Sequence, residues 1–141
     1  MDQLKGFGVE IEAVRYLQGI EAPPGRPHSF AFFLQVINQS EHDIRLLARK
    51  SVVLEDNGET WVVEGFGVAG RVPVVPAGGG FDFNSYHFVS GNALAQGALL
   101  GELEDGTRVV VPVPEFRMCI PAWARNGLEP PARTSADAVR H

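Results

Sequence analysis

The stretch Gly65-Phe66-Gly67-Val68-Ala69-Gly70 has the G-x-G-x-x-G spacing of a dinucleotide-binding turn, yet it runs directly into Arg71-Val72-Pro73-Val74-Val75-Pro76. In a dinucleotide site the last glycine opens a helix whose N-terminus holds pyrophosphate. Two prolines this close together forbid that helix, because each removes a backbone donor and clashes with the preceding turn. The glycines therefore belong between strands. The 16 glycines and 10 prolines are spread along the 141 residues rather than gathered in one linker, which suits many short strands joined by turns.

Period-two alternation supports this reading. In Ser29 to Gln39, Phe30, Phe32, Leu34 and Val36 fall on one side and Ala31, Phe33, Gln35 and Ile37 on the other. Burying each large side chain of the first set is worth on the order of 1.5 to 3 kcal/mol, so this strand anchors the interior. Val9 to Gln18 is a first strand, with Val9, Ile11 and Ala13 sharing a face. Ile44 to Glu55 is a third, with Ile44, Leu46, Ala48, Val52 and Leu54 on one face and Arg45, Leu47, Arg49 and Val53 on the other. Asn57-Gly58 and Asp105-Gly106 are hairpin signals that join Thr60 to Glu64 to the third strand and Ala98 to Glu104 to Thr107 to Val113. Phe81 to Tyr86 adds a further strand with Phe81 and Phe83 inward, and Val89 to Gln96 reads as irregular. The expected fold is all-β, an immunoglobulin or fibronectin type III-like antiparallel sandwich of about seven or eight strands. Residues 1–8 read as an N-terminal extension and 119–141 as a tail, with one helical turn expected in Ser135 to His141.

Lys+Arg 12 against Asp+Glu 17 gives a net charge of -5, so no overall basic field draws nucleic acid. The lone Cys119 forms no internal disulfide, the first residues lack a signal-peptide pattern, and no apolar run is long enough for a membrane helix. The expectation is a cytoplasmic protein with no membrane and no nucleic-acid partner.

Taken in order, Tyr16, Phe30-Ala31-Phe32, Asn38, Leu46-Leu47-Ala48-Arg49, Asp56-Asn57-Gly58, Gly65 to Gly70, Pro73, Phe81-Asp82-Phe83-Asn84-Ser85 and Val113-Pro114-Glu115-Phe116 form an ordered set. In that set the chain resembles the ApaG domain family over residues 9–118. The resemblance implies a fibronectin-like sandwich and no known reaction. Members stand alone in bacteria or sit beside F-box or polymerase-interacting segments in eukaryotes, which favours a binding role. The family name is also linked to cobalt and magnesium homeostasis. Here Ser51 replaces the usual aromatic, Val89 to Gln96 is longer than the usual connection, and the tail is additional.

Two readings of the glycine loop stand side by side. Gly65, Gly67 and Gly70 can expose successive N–H groups as a nest for pyrophosphate or another small anion, with Arg49 and Arg71 as countercharge. They can equally serve the backbone, permitting angles or close approach that side chains would prevent. Arg49 can bind phosphate, or pair with Glu64 or Asp82 on a solvated face. Phe33, Ile37, Leu47 and Val53, placed outward by alternation, form a candidate interaction surface for a protein partner or a homodimer, unless the tail covers them with Trp123. His28, His42, His87 and His141 lack metal-ligand spacing and read as turn or surface histidines. Cys119 reads as a small buried or edge hydrophobe, and Glu102, Glu104 and Asp105 as solvated acids around a turn. The expected function is a non-enzymatic protein-binding module without metal or cofactor, with small-anion binding and a role in cobalt and magnesium homeostasis as alternatives.

Overall fold

The computed structural model describes residues 2–18 and 21–125. The chain runs through β1 (Phe7–Leu17), β2 (His28–Asn38), β3 (Ile44–Glu55), β4 (Thr60–Phe66), β5 (Val74–Val75), β6 (Gly80–Val89), β7 (Ala93–Leu103), β8 (Arg108–Met118) and the short α1 (Ala122–Arg125). A three-stranded sheet in the order β1-β2-β6 packs on a five-stranded sheet in the order β4-β3-β7-β8, with β5 paired to β3. Every pairing within the two sheets is antiparallel, as the sandwich reading requires. The expected helical turn at Ser135 to His141 lies outside the described residues.

The core follows the alternation of β2. Phe30, Phe32, Leu34 and Val36 are all buried, and they meet Ile44, Leu46, Val53, Leu99 and Val111 from the facing sheet. Both ends of the sandwich reach past the expected boundaries. Phe7 is buried in the core, and so is Ile120, whose N–H donates to Asn92 Oδ1 at 2.7 Å. Between them Asp2 bridges in parallel to Val109. Trp123 does not cover Phe33 or Ile37; it packs edge-on against Tyr16, ring centroids 5.8 Å apart, at the end of the core. Cys119 is exposed rather than buried.

Both Asx-Gly hairpins close differently from the expected two-residue form. Gly58 N–H donates to the Glu55 carbonyl at 2.9 Å and Gly106 N–H to the Leu103 carbonyl at 3.0 Å. Gly58 and Gly106 have φ of 90° and 88°, whereas Asn57 and Asp105 keep negative φ. Each turn thus has a single left-handed residue, the three-residue hairpin with a glycine bulge. The Val89 to Gln96 segment is also more regular than expected, since β6 ends at Val89 and β7 starts at Ala93.

Three register shifts redirect the side chains. The extra residues lie between Ile11 and Ala13 in β1, between Leu46 and Ala48 in β3, and between Val113 and Phe116 in β8, opposite Ala95 to Gly97. A bulge inserts one residue and sends everything beyond it to the opposite face. In β3 this reverses the expectation for the second half of the strand. Val53 is fully buried, so it is no part of an interaction surface, while Leu54, expected inside, is 47% exposed.

Asn38 ties the end of β2 to the neighbouring loops. It is wholly buried, its Nδ2 donates to the carbonyls of His42 at 2.7 Å, Val75 at 3.0 Å and Pro76 at 3.2 Å, and its Oδ1 accepts from Ser40 N and Oγ. This is how the two-residue β5 is held beside β3. No helix among the described residues is long and apolar enough to cross a membrane.

Candidate functional site

The bulge in β3 also decides where Arg49 goes. In the extended reading it shares a face with Arg45 and meets solvent; in the structure it pairs across the ladder with Leu99 on one side and Gly65 on the other. Leu99 is 2% exposed and directed inward, so Arg49 enters the space between the sheets. Its Nη1 donates to the Gly67 carbonyl at 3.2 Å, and no ion pair joins it to Glu64 or Asp82. A Cβ at position 65 would lie 2.9 Å from Arg49 Nη1, so Gly65 serves as the gap through which the guanidinium lies.

The loop beyond is internally bonded. Gly67, Ala69 and Gly70 have φ of 76°, 51° and 75°. Gly67 N–H donates to the Leu47 carbonyl, Val68 N–H to the Arg71 carbonyl at 2.7 Å and Arg71 N–H to the Val68 carbonyl at 3.0 Å. Three of the N–H groups that an anion nest would use are thus engaged by the protein itself. Arg71 lies over the Phe81 ring, its guanidinium carbon 5.1 Å from the centroid. Of the residues singled out for anion binding, Arg49 meets Gly65 and the Gly67 carbonyl, whereas Arg71 is turned to Phe81.

Arg49 opens onto a cleft of about 330 Å³ between β4 and β6, the flank where no strand closes the sandwich. Phe32, Leu34 and Phe83 line it from the three-stranded sheet, and Trp61, Leu99 and Phe116 from the five-stranded sheet. Arg26 caps the Trp61 ring at 4.4 Å. His87 projects into the same space and is 6% exposed, which overturns the surface reading of the histidines. Its ring stacks on Phe32 with centroids 4.7 Å apart and meets Trp61 edge-on at 5.5 Å. Burial against these rings pushes its pKa down to about 4, so the imidazole is neutral at pH 7. Its Nε2 is buried and has no hydrogen-bond partner.

Glu55 sets the position of Trp61. This carboxylate is 2% exposed, and it accepts from Trp61 Nε1 at 2.9 Å, Ser90 Oγ at 2.6 Å, Ser90 N at 2.7 Å and Gly91 N at 3.2 Å. Burial alone would raise its pKa; the bonds from Ser90, Trp61 and Gly91 outweigh that and leave it below the usual carboxylate value. Sequence reading passed over Glu55 because it borders a turn. The only signal available was a Glu six residues before a Trp across an Asn-Gly hairpin.

A second feature lies on the outside of the five-stranded sheet. Val62 is 49% exposed, Leu54 47% and Phe66 76%, and Val52, Leu100 and Val110 lie half-buried on the same outer face. Phe33, Ile37 and Leu47 of the expected surface are half-buried instead, with Phe33 and Ile37 on the outer face of the other sheet. Among the described residues, no group of three or more His, Cys, Asp or Glu is gathered as a metal site would need.

The comparisons with known proteins agree with this architecture. The ApaG domain model matches residues 21–103, which takes in β2 through β7 and both sides of the cleft. The chain is similar to Protein ApaG of Stenotrophomonas maltophilia, 30% identical over 128 residues covering 86% of this chain and 97% of that protein. It is likewise similar to Protein ApaG of Ralstonia nicotianae, 30% identical over 111 residues covering 76% and 87%. Its fold is similar to the crystal structure of a Bordetella pertussis protein assigned as ApaA, with a TM-score of 0.72, 21% identity and coverage of 84% and 98%. With the sandwich, the glycine loop and the matched span in agreement, this chain is a member of the ApaG domain family.

Proposed function

We propose that this protein is a non-enzymatic binding module that takes an extended segment of a partner protein along β4. The observation that carries the proposal is the state of that strand. β4 ends the five-stranded sheet with one side unpaired among the described residues, and it bears Val62 and Phe66 exposed beside a half-buried apolar floor. Edge strands are normally blunted by charge, proline or a covering segment, and a free edge beside apolar pockets is the arrangement used in β-strand addition. Phe66, exposed at 76%, supplies an aromatic anchor of the kind enriched in binding hot spots.

The side-chain chemistry supports binding over catalysis. Among the described residues, the histidine rings in hydrogen bonds meet Tyr16 Oη, from His28 at 3.0 Å, and Glu104 Oε1, from His42 at 2.6 Å, and none of them meets a Ser, Thr or Cys side chain. Glu55, the buried carboxylate, is committed to holding Trp61 and the β6–β7 turn.

The test is photo-crosslinking in the source cell with benzoylphenylalanine placed at position 66 and, as a control, at position 33. Adducts from 66 that map to an extended segment of one other protein, with none from 33, are expected. Equal labelling from the two positions would overturn the reading. An adduct of twice the chain's own mass would replace the partner protein with a second copy.

A further inference from the structure

The interlayer cleft lies on the opposite side of β4 from the outer apolar face, and its chemistry is of a different kind. It has aromatic walls, two guanidinium groups, Arg26 and Arg49, that no ion pair with a described carboxylate engages, and a histidine whose buried Nε2 has no partner. From these we infer that the cleft between β4 and β6 is a binding site for a small flat apolar molecule bearing one carboxylate or comparable anionic group.

Three arguments lead to that ligand class. First, a buried polar atom without a partner costs on the order of 1 to 3 kcal/mol, and His87, whose Nε2 is such an atom, is one of the residues lining the cleft. Second, the charge is local and of the opposite sign to the whole. The chain carries -5 overall, yet the charged residues that line the cleft are Arg26, Arg49 and Lys50; the Glu55 carboxylate that holds Trp61 Nε1 is not part of the lining and is taken up by bonds from Trp61, Ser90 and Gly91. A guanidinium in apolar surroundings gains most from a planar carboxylate, which it meets through two parallel N–H bonds. Third, shape limits the body of the ligand. A volume of about 330 Å³ walled by Phe32, Phe83, Trp61 and Phe116 is at the small end of ligand pockets and favours a planar ring system stacked between sheets.

Gly65 belongs to this site through Arg49. A side chain at 65 would make the guanidinium shift, because the added carbon sits 2.9 Å from Nη1, and a larger side chain would take up more of its place. The glycine that sequence motifs associate with a phosphate loop thus acts here by clearing the path of an arginine. His87, packed against Phe32 and Trp61, adds a further ring to the wall of the cleft.

The probe pair is 2-naphthoate and 2-naphthamide, equal in shape and different in charge, titrated into the full chain and followed by backbone amide NMR shifts. Saturable shifts at Gly65, Ser85 and His87 with naphthoate, and binding about tenfold weaker for the amide, are expected. Arg49→Met should bring the acid's affinity down towards that of the amide. Gly65→Val, whose branched side chain intrudes further on the guanidinium than one added carbon, should narrow the same difference, and it keeps the test open if the arginine variant does not fold. No shifts at these amides with millimolar naphthoate, equal affinity for acid and amide, or an undiminished acid preference in both folded variants would each overturn the assignment. Phe66 lies outside the cleft, so the crosslinking result at that position is independent of this one.

Discussion

Where β1 lies against β8, the two sheets meet through Phe7, Val9, Val109 and Val111, all buried, and the bridge from Asp2 to Val109 seals the edge. Where β4 faces β6, the same interlayer space receives Arg49 and His87 among aromatic rings and stays open. The first flank needs only hydrophobic burial, which is non-directional and tolerant of detail. The second is organised by directed contacts: Glu55 on Trp61, Phe32 on His87, Gly65 beneath Arg49. Stability is concentrated in the one and recognition chemistry in the other, as expected when a rigid scaffold carries a site on a less completely packed edge.

The largest test of the contrast is truncation on each side. Phe7→Ala on the closed flank should cost about 3 to 5 kcal/mol in denaturant unfolding, the usual range for emptying a buried aromatic site. Phe83→Ala on the open flank should cost about half as much, since Phe83 is half-buried and its place opens into an existing cleft. Equal losses would mean that the flanks do not differ in packing.

Next in size is an acid-dependent loss of stability from the open flank. The unfolded chain protonates His87 near the ordinary imidazole value of 6.5, whereas the folded one does so only at about 4. Between those values the unfolded state binds more protons, so stability rises with pH. The contribution is intact above pH 6.5 and is lost as pH falls towards 4, to the extent of about 3 kcal/mol. His87→Phe should flatten unfolding free energy across that window. Glu55, with its lowered pKa, adds a further loss only below its usual carboxylate range, and that component should persist in the variant. A slope between pH 6.5 and 4 unchanged by the substitution would show that His87 titrates as though exposed.

Smallest of all should be the effect of Phe66→Ser on folding. The side chain is 76% exposed, and surface substitutions away from special features fall within about 0.5 kcal/mol. A loss well beyond that in thermal unfolding would make Phe66 part of the scaffold and remove it as an anchor for a partner.

How much of this was legible in the sequence differs between the flanks. The alternation of β2 is unbroken, so Phe30, Phe32, Leu34 and Val36 could be placed inside at sight. Asn57-Gly58 and Asp105-Gly106 located two hairpins, though the turn form needed the backbone angles. The prolines after Gly70 ruled out a dinucleotide helix, and the structure has the exposed-to-buried pair Val74–Val75 of β5 there instead. The ordered landmarks carried the family. Arg49, Val53 and Leu54 could not be placed, because an extra residue between Leu46 and Ala48 leaves no mark in composition yet turns the remainder of the strand over. His87 read as a turn or surface histidine, and Glu55 like any acid beside a turn.

What the chain determined by itself was therefore the class of structure: short alternating segments, punctuated by glycine and proline, can bury their apolar sides only by stacking two sheets. Which polar groups entered the interior was decided by tertiary structure alone. A bulge's position depends on how partner strands register against each other, the burial of His87 depends on Phe32 and Trp61 from other strands, and the bonding of Glu55 depends on Ser90, 35 positions away. Local pattern reports which face a residue would take on a regular strand; only the assembled sheets report where that regularity gives way.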